Sequence, residues 1–480
     1  MTETTSAADA AAREALRLIG PTPENWAPLP AGVDHNVAVV GGGQTGAAFA
    51  FALKRAGVGA VTVIEAEADP ARAGIWRRSA RMGKLRTPKN LVGPELGLPQ
   101  LSFQAWYEAR HGREAYAAID RIARTDWSDY LAWYARVTEF APRYGVRLVR
   151  IEPAETGFRL HLQSAAGPTV ETARKVILAN GFLGAGAPFT PEVLRGLSAE
   201  RLAHTSEDID FERLKGRRVA VIGGAAAAFD VAGTALEAGA AEARLFVRRP
   251  ALANLPVSRA RAYPGAYDNY PALPDALKWR SALRFRRSGS TATVDAVERV
   301  AAFSNARLHL GVTLLSATEG ADVLTLDFGM ERHVADVVIS AAGYAADPAL
   351  RPELADFAGD ILRWRDVYAP PAGDEDESLG AHPYLGAGHV YQERQPGAAP
   401  FLKDIHVFNP SAFVSFGLPV GDVPSLKRDV PAVVAQISRD LFFADLAHHA
   451  ERFAGDVPAD FPHELYASLL HGDAKALAAE

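Results

Sequence analysis

A chain of 480 residues with a net charge of -6 and no cysteine has length for two to four domains and gives no electrostatic reason to expect nucleic acid or an anionic membrane as partner. The missing cysteines exclude a disulfide framework, a thiolate metal site and a redox-active cysteine pair. No apolar run reaches spanning length, the thirteen histidines show no metal spacing, and the N-terminus lacks the basic region and apolar core of a signal peptide, so a cytoplasmic protein, monomeric or homo-oligomeric, is expected.

Residues 1–34 read as an N-terminal extension: an alanine-rich amphipathic stretch from Ala7 to Leu18, then a Pro/Gly-broken approach to the first strand. The apolar run Val37 to Val40 enters Gly41-Gly42-Gly43-Gln44-Thr45-Gly46, in which Gly41, Gly43 and Gly46 hold the G-x-G-x-x-G spacing between a buried strand and a helix beginning near Thr45. Those glycines serve a tight turn, close approach of backbone to a pyrophosphate, and packing of helix on strand. The amides at Gln44 and Thr45 and the helix dipole supply the anion site. About twenty residues on, the strand Val61 to Ile64 ends in Glu65, placed to accept hydrogen bonds from the ribose hydroxyls of an adenosine.

Further along, a helix is predicted from Asp126 to about Tyr144, with Asp126 or Ser128 as cap and Gly145 as stop. Strands follow at Arg147 to Glu152, at Phe158 to Leu162, and at Lys175 to Leu178 running into Ala179-Asn180-Gly181. A second glycine turn, Gly223-Gly224-Ala225-Ala226-Ala227-Ala228, comes after Val219 to Ile222 and reads G-x-A-x-x-A. The third position accepts alanine, but a methyl at Ala225 stands where backbone must approach phosphate. The helix Ala226 to Ala238 and the strand Ala243 to Val247 lead to Arg248-Arg249, where two guanidiniums replace the expected acid and favour a ribose 2'-phosphate; two solvated surface arginines are the competing reading.

Asp336 to Tyr344 repeats the earlier ending of an apolar strand in small residues and a glycine. This repeat predicts an α/β protein with two dinucleotide-binding, Rossmann-like domains, the second inserted into the first: residues 35–199 and 344–480 for the first, with C-terminal helices, and 200–343 for the second. Pro370 to Gly380 reads as an exposed acidic loop. Gly417 to Pro424 precedes a helix from about Ser425, with Asp422 as a cofactor contact or helix cap. Tyr263, Tyr267, Tyr270, Trp279 and Tyr384 either line an apolar pocket or are core, and His448-His449 is expected on a helix surface.

The first glycine motif with Glu65, Ala73-Gly74-Ile75-Trp76, Leu85-Arg86-Thr87-Pro88-Lys89-Asn90, the second motif ending in arginines, and Ala341-Ala342-Gly343-Tyr344 together resemble a class B flavoprotein monooxygenase. That group comprises flavin-containing, N-hydroxylating and Baeyer-Villiger monooxygenases. The resemblance implies tightly bound FAD at the first turn, NADP at the second, and a C4a-hydroperoxyflavin, formed with NADPH and O2, that oxygenates a small molecule. It also implies that Trp76 lies against the flavin region and that Arg86, Lys89 and Asn90 stand near the reactive ring, where a cation stabilises an anionic flavin. Arg287, after Arg286, resembles a basic pair that grips NADP and faces the peroxyflavin. The linker motif is broken: His204 stands about four positions late, as a cofactor contact or a hydrogen-bonded hinge. This departure favours N- or heteroatom oxidation over Baeyer-Villiger oxygenation of a ketone. A cysteine-free ferredoxin-type reductase and a redox-sensing nucleotide-binding protein are the alternatives.

Overall fold

The computed structural model describes residues 6–417 and 420–470. Met1 to Thr5 of the N-terminal stretch, Leu418 and Pro419 of the predicted glycine-rich loop, and residues 471–480 lie outside the described residues. Met1–Ser438 forms one compact unit and Arg439–Glu480 another. In the second, the described residues include the helix Leu446–Phe453, and His449, expected at a surface, is buried with its ring stacked on Phe442.

The first unit is built on two parallel-strand layers. His35–Val40 pairs in parallel with Val61–Glu65 on one side and Gly167–Leu178 on the other. Val37, Ala38 and Val39 are fully buried, as strands covered on both faces must be. Arg147–Pro153, Phe158–Ser164 and the first half of Gly167–Leu178 form an antiparallel meander. There Phe158, Leu160 and Leu162 are buried on alternate positions, the period of a strand with one apolar face. The second half of Gly167–Leu178 takes a different partner, Ile405–Val407, in parallel.

Between Leu178 and Ile405 the chain builds a second sheet. Its five parallel strands run in the order Leu202–His204, Val337–Ser340, Arg218–Ile222, Glu242–Val247, Ala306–Leu310. A three-stranded antiparallel sheet of Ser316–Glu319, Leu324–Asp327 and Arg332–Ala335 accompanies it. The passages out and back also pair: Gly186–Pro188 lies antiparallel to Tyr344–Ala346, with Tyr344 opposite Pro188.

Two predicted elements differ. The helix expected over Asp126 to Tyr144 runs Arg124–Val137, its N-cap is Ala123, and neither Asp126 nor Ser128 caps it. It stops early because Thr138 turns its hydroxyl back on Tyr134 O (2.7 Å), Glu139 takes a positive φ of 57°, and Pro142 cannot continue a helix. Arg143–Tyr144 instead joins the first sheet beside Glu65. The acidic loop is not a free loop: Asp376 caps the helix Glu377–Gly380, and Asp374 and Asp376 pair with Arg287 and Arg286 of the helix Asp275–Ser288.

The helix Ala7–Leu18 docks through Ala8, Ala12 and Ala15 beside an aromatic cluster that includes Trp106, Tyr130 and Trp133. Buried Asp9 accepts hydrogen bonds from Trp133 Nε1 (2.9 Å) and from both terminal nitrogens of Arg136 (2.8 and 2.9 Å). The Arg136 guanidinium holds the Asp9 carboxyl well below the usual carboxylate range. Its stabilisation is therefore complete above that range and is lost as acid titrates it in the folded protein. Asp9→Ala is expected to cost about 2–3 kcal/mol at pH 7, with the gap from wild type narrowing in strong acid. Urea titrations at both pH values measure this.

Candidate cofactor and active site

The first glycine turn is a backbone cradle. Gly41 has a φ of +116°, and a Cβ on it would stand 2.4 Å from Ala179 O; a Cβ on Gly46 would stand 2.0 Å from Gly41 O. Neither position accepts a side chain. Gly43, the N-cap of the helix Gln44–Arg55, differs because the nearest atom to its added Cβ is Gly74 Cα at 3.8 Å. Two glycines from separate turns thus face each other without side chains, leaving backbone open to a pyrophosphate, which fits FAD. Glu65 sits beside the turn, accepting from Gly42 N and Glu67 N, both at 2.8 Å.

Gln44 holds this cradle to two distant segments. Its Nε2 donates to Gly421 O (3.1 Å), and its Oε1 accepts from Trp127 Nε1 (3.1 Å). Trp127 meets Trp76 edge to face, 6.3 Å between centroids. Buried Thr45 follows in the first helical turn.

The second turn repeats the first in detail. Gly223 has a φ of +148°, and its added Cβ would stand 2.5 Å from Ala341 O, as Gly41 relates to Ala179. A side chain on Gly224 would meet Val247 Cγ1 at 2.7 Å. Ala225 occupies the N-cap of Ala226–Glu237 with φ -98° and ψ -177°, close to the -77° and -166° of Gly43. The methyl therefore introduces no backbone strain, and any cost of Ala225 falls on the ligand's approach alone. Ala228 is fully buried at the helix-packing position.

Between the turns three charged groups from distant parts of the chain meet. Arg86 lies on the strand Lys84–Pro88 and donates to Thr291 Oγ1 (3.3 Å), just before the helix Val294–Ala301. Asp230 comes from the second turn's helix, and Asp422 from the loop before the helix Val423–Ala444. Arg86 and Asp422 are exposed to solvent although protein surrounds them on several sides, as on the walls of an open cleft; Asp230 is 7% exposed. Enclosure pushes Asp422 up to about 6 against the pull of Arg86. Asp230 also rises to about 6 through burial, opposed by Arg299, Arg86 and Arg81. Burial likewise lowers Arg86, opposed by Asp422 and Asp230.

A family model described as FAD-NAD(P)-binding matches residues 38–183. A FAD-dependent urate hydroxylase from Xanthomonas campestris pv. campestris is 40% identical over 435 residues, 90% of this chain and 91% of that protein. The chain belongs to the class B flavoprotein monooxygenases. In fold it is similar to ornithine hydroxylase from Pseudomonas aeruginosa (TM-score 0.66, 20% identity, 85% of this chain and 99% of that one). Ornithine N-hydroxylase from Kutzneria sp. 744 gives a TM-score of 0.66 at 17% identity, over 85% of this chain and 99% of that one. The protein is a flavin-dependent oxidoreductase that binds FAD and NADP. No helix among the described residues of this monooxygenase is long and apolar enough to cross a membrane.

Other residues expected at the site lie elsewhere or are already engaged. Lys89 gives its ammonium to the carbonyls of Tyr116, Ala117 and Ile119 (2.7, 3.1 and 2.6 Å), capping the end of the helix Arg113–Ala118 rather than a flavin. Asn90 is exposed past the strand. Arg287 pairs with Asp374 (2.9 Å) and donates to Gly373 O. His204 is a hinge pin: Nδ1 meets Ser206 Oγ (2.8 Å) and Nε2 meets Gly343 O (3.0 Å), where the chain enters and leaves the second sheet. Burial lowers its pKa, keeping the ring neutral at pH 7.

The two arginines after the second unit's strand separate in role. Arg249 donates to the carbonyls of Arg286, Arg287 and Ser288, closing the end of Asp275–Ser288, with Gly289 packed on its guanidinium. Arg248 is exposed and forms no ion pair or hydrogen bond among the described residues. Arg248→Ala is expected to raise the KM for NADPH about tenfold or more with that for NADH unchanged. Arg249→Ala should lower the melting temperature and affect both nucleotides alike. Steady-state kinetics with each nucleotide and a thermal melt distinguish them.

Sequence reasoning missed Asp230, Arg299 and the contact of Tyr270 with Gly417, whose added Cβ would lie 2.6 Å from the tyrosine ring. For Asp230 a signal existed: it is the single charge within the apolar run Ala226 to Leu236.

Proposed function

We propose that this monooxygenase uses NADPH and O2 to hydroxylate a small, nitrogen-rich heterocycle, with urate as first substrate, at the cleft between the two glycine turns. The observation that carries the reading is the meeting of Arg86, Asp230 and Asp422 there, from three segments that join the two nucleotide sites. The 40% identity to a protein named as a urate hydroxylase supports urate, and moves the preference from N- or heteroatom oxidation toward ring hydroxylation. The balance is substrate, O2, NADPH and one proton giving hydroxylated substrate, NADP+ and water.

FAD, held by the first glycine turn, would supply the redox chemistry that links NADPH oxidation to O2 activation. The chain's own residues bind and protect. The paired glycines hold the pyrophosphate, and Gln44 fixes the cradle to the Gly421 segment. The Arg86 guanidinium, exposed beside Asp422, would stabilise negative charge on a ligand bound there, and more strongly where that ligand displaces water. Asp422 and Asp230, pushed up to about 6, can each hold or release a proton near neutral pH.

Anaerobic reduction of the FAD-loaded protein by NADPH, followed by oxygen with and without urate, tests the reading. Expected are a flavin-oxygen adduct and urate consumption matched to NADPH oxidation. Hydroxylation of ornithine or lysine with urate untouched would return the preference to N-oxidation. Direct reoxidation, with electrons passing to a one-electron protein acceptor, would favour the reductase, and absence of reduction a nucleotide sensor.

A further inference from the structure

Three arginines, Arg86, Arg121 and Arg259, meet at the cleft against two acids, Asp230 and Asp422, and a fourth, Arg261, follows on the same segment as Arg259. Arg121 Nη1 lies 3.4 Å from the Arg86 carbonyl oxygen, and the charges of Arg121 and Arg259 both oppose that of Arg86. Arg261 stands over the rings of Tyr270 and Phe413, 5.4 and 5.6 Å from their centroids, and its Nε is enclosed with no acceptor. Among the described residues none of the four forms an ion pair, although the chain is net acidic and Arg72, Arg77, Arg143 and Arg299 are all paired. Arg86 and Arg259 are exposed and Arg121 is half-buried, so their positive charge outnumbers the negative charge of the two acids on a surface open to a ligand, where a bound anion would be attracted.

The path of the chain brings this charge to the flavin side. After Arg248-Arg249 the segment Val257–Arg261, Pro264–Asn269 and Tyr270–Ala272 leaves the second sheet. It returns over the loop before Asp422: Tyr270 covers Gly417, and Arg428 donates to Tyr267 O. The phosphates of the two dinucleotides have their own donors, in the two glycine turns and Arg248. The surplus charge is thus left for a third ligand.

We infer that Arg86, Arg121 and Arg259 form an anion-reading wall that selects the substrate as a compact, planar heterocyclic monoanion and discriminates against neutral analogues. The inference rests on the monooxygenase reading of the same cleft and deepens it by naming the charge state of the substrate. Urate, an anion at neutral pH, meets the description; a fully N-methylated neutral purine such as caffeine does not.

The test is equilibrium binding of urate and of caffeine to the FAD-loaded, oxidised protein, followed by perturbation of the flavin spectrum, for wild type, Arg121→Gln and Arg259→Gln. The KM for NADPH and a melting curve are measured for each variant. Expected are a rise of about tenfold or more in the urate Kd for each variant, caffeine binding weak in all three, and a shift of less than about twofold in the KM for NADPH. An unchanged urate Kd in both variants overturns the inference. So does a rise in the KM for NADPH that replaces the loss of urate affinity, since the arginines would then serve the dinucleotide. Wild type that binds urate without oxygenating it leaves the anion wall standing and refutes urate hydroxylation, whereas wild type that does not bind urate refutes both. Equal melting temperatures show that a weakened Kd is not a folding defect.

Discussion

Gly41→Ala is expected to abolish FAD retention and to destabilise the protein by about 3 kcal/mol or more. The added methyl would stand 2.4 Å from Ala179 O at a φ of +116°, so steric overlap and an unfavourable backbone region act together, and the obstacle is main chain that cannot rotate away. Gly43→Ala supplies the contrast: its nearest neighbour is Gly74 Cα at 3.8 Å, and Ala225 adopts almost the same φ and ψ in the second turn. That variant should melt within about 1 kcal/mol of wild type while losing FAD, because its methyl points where the pyrophosphate must approach. The ratio of flavin to protein absorbance after gel filtration, read beside the melting curve, separates the effects. A Gly41→Ala protein purifying with full FAD would contradict the cradle.

Asp230→Asn is expected to stabilise the protein above pH 6 and to have little effect near pH 4. Folding raises this carboxyl from 3.8 to about 6 through burial, so the folded chain holds its proton more tightly than the unfolded chain. That contribution is complete below 3.8 and is lost as pH rises through about 6; the shift corresponds to about 3 kcal/mol. Wild-type stability should therefore fall between pH 4 and 6, and the amide variant, which has no proton to lose, should not show that fall. Melting curves of both proteins without cofactor from pH 4 to 8 decide it. Lower stability of the variant at pH 8 would mean that attraction to Arg299, Arg86 and Arg81 outweighs the cost of burial.

The glycine turns were legible because their determinants are local. The strand Val37 to Val40, the spaced glycines and the helix after them lie within a few residues, and the same backbone relation recurs at Gly223 with Ala341. The end of the helix at Val137 was less so, since Asp126 and Ser128 have capping chemistry but neither stands at the N-cap. The roles of Lys89 and Arg249 were hidden for a different reason. A basic side chain near a predicted site reads as a ligand donor, yet each meets the unsatisfied carbonyls of a helix end remote in sequence. The junction of residues 86, 230 and 422 is a product of topology, and no spacing along the chain encodes it.

The pairing of Tyr344 opposite Pro188 has a consequence for protein engineering. Paired residues in an antiparallel ladder stand about 5 Å apart, so a two-residue turn could join them and omit residues 189–343 without stretching either strand. What remains would keep both parts of the seven-stranded sheet and the first glycine cradle, and would lack the whole second sheet. The excision also removes Trp279, Ala282 and Leu283 from Trp364, Leu379 and Val414, so those three positions would need polar replacements. Such a miniature would be a flavin scaffold deaf to nicotinamide, open to reduction by light or an electrode.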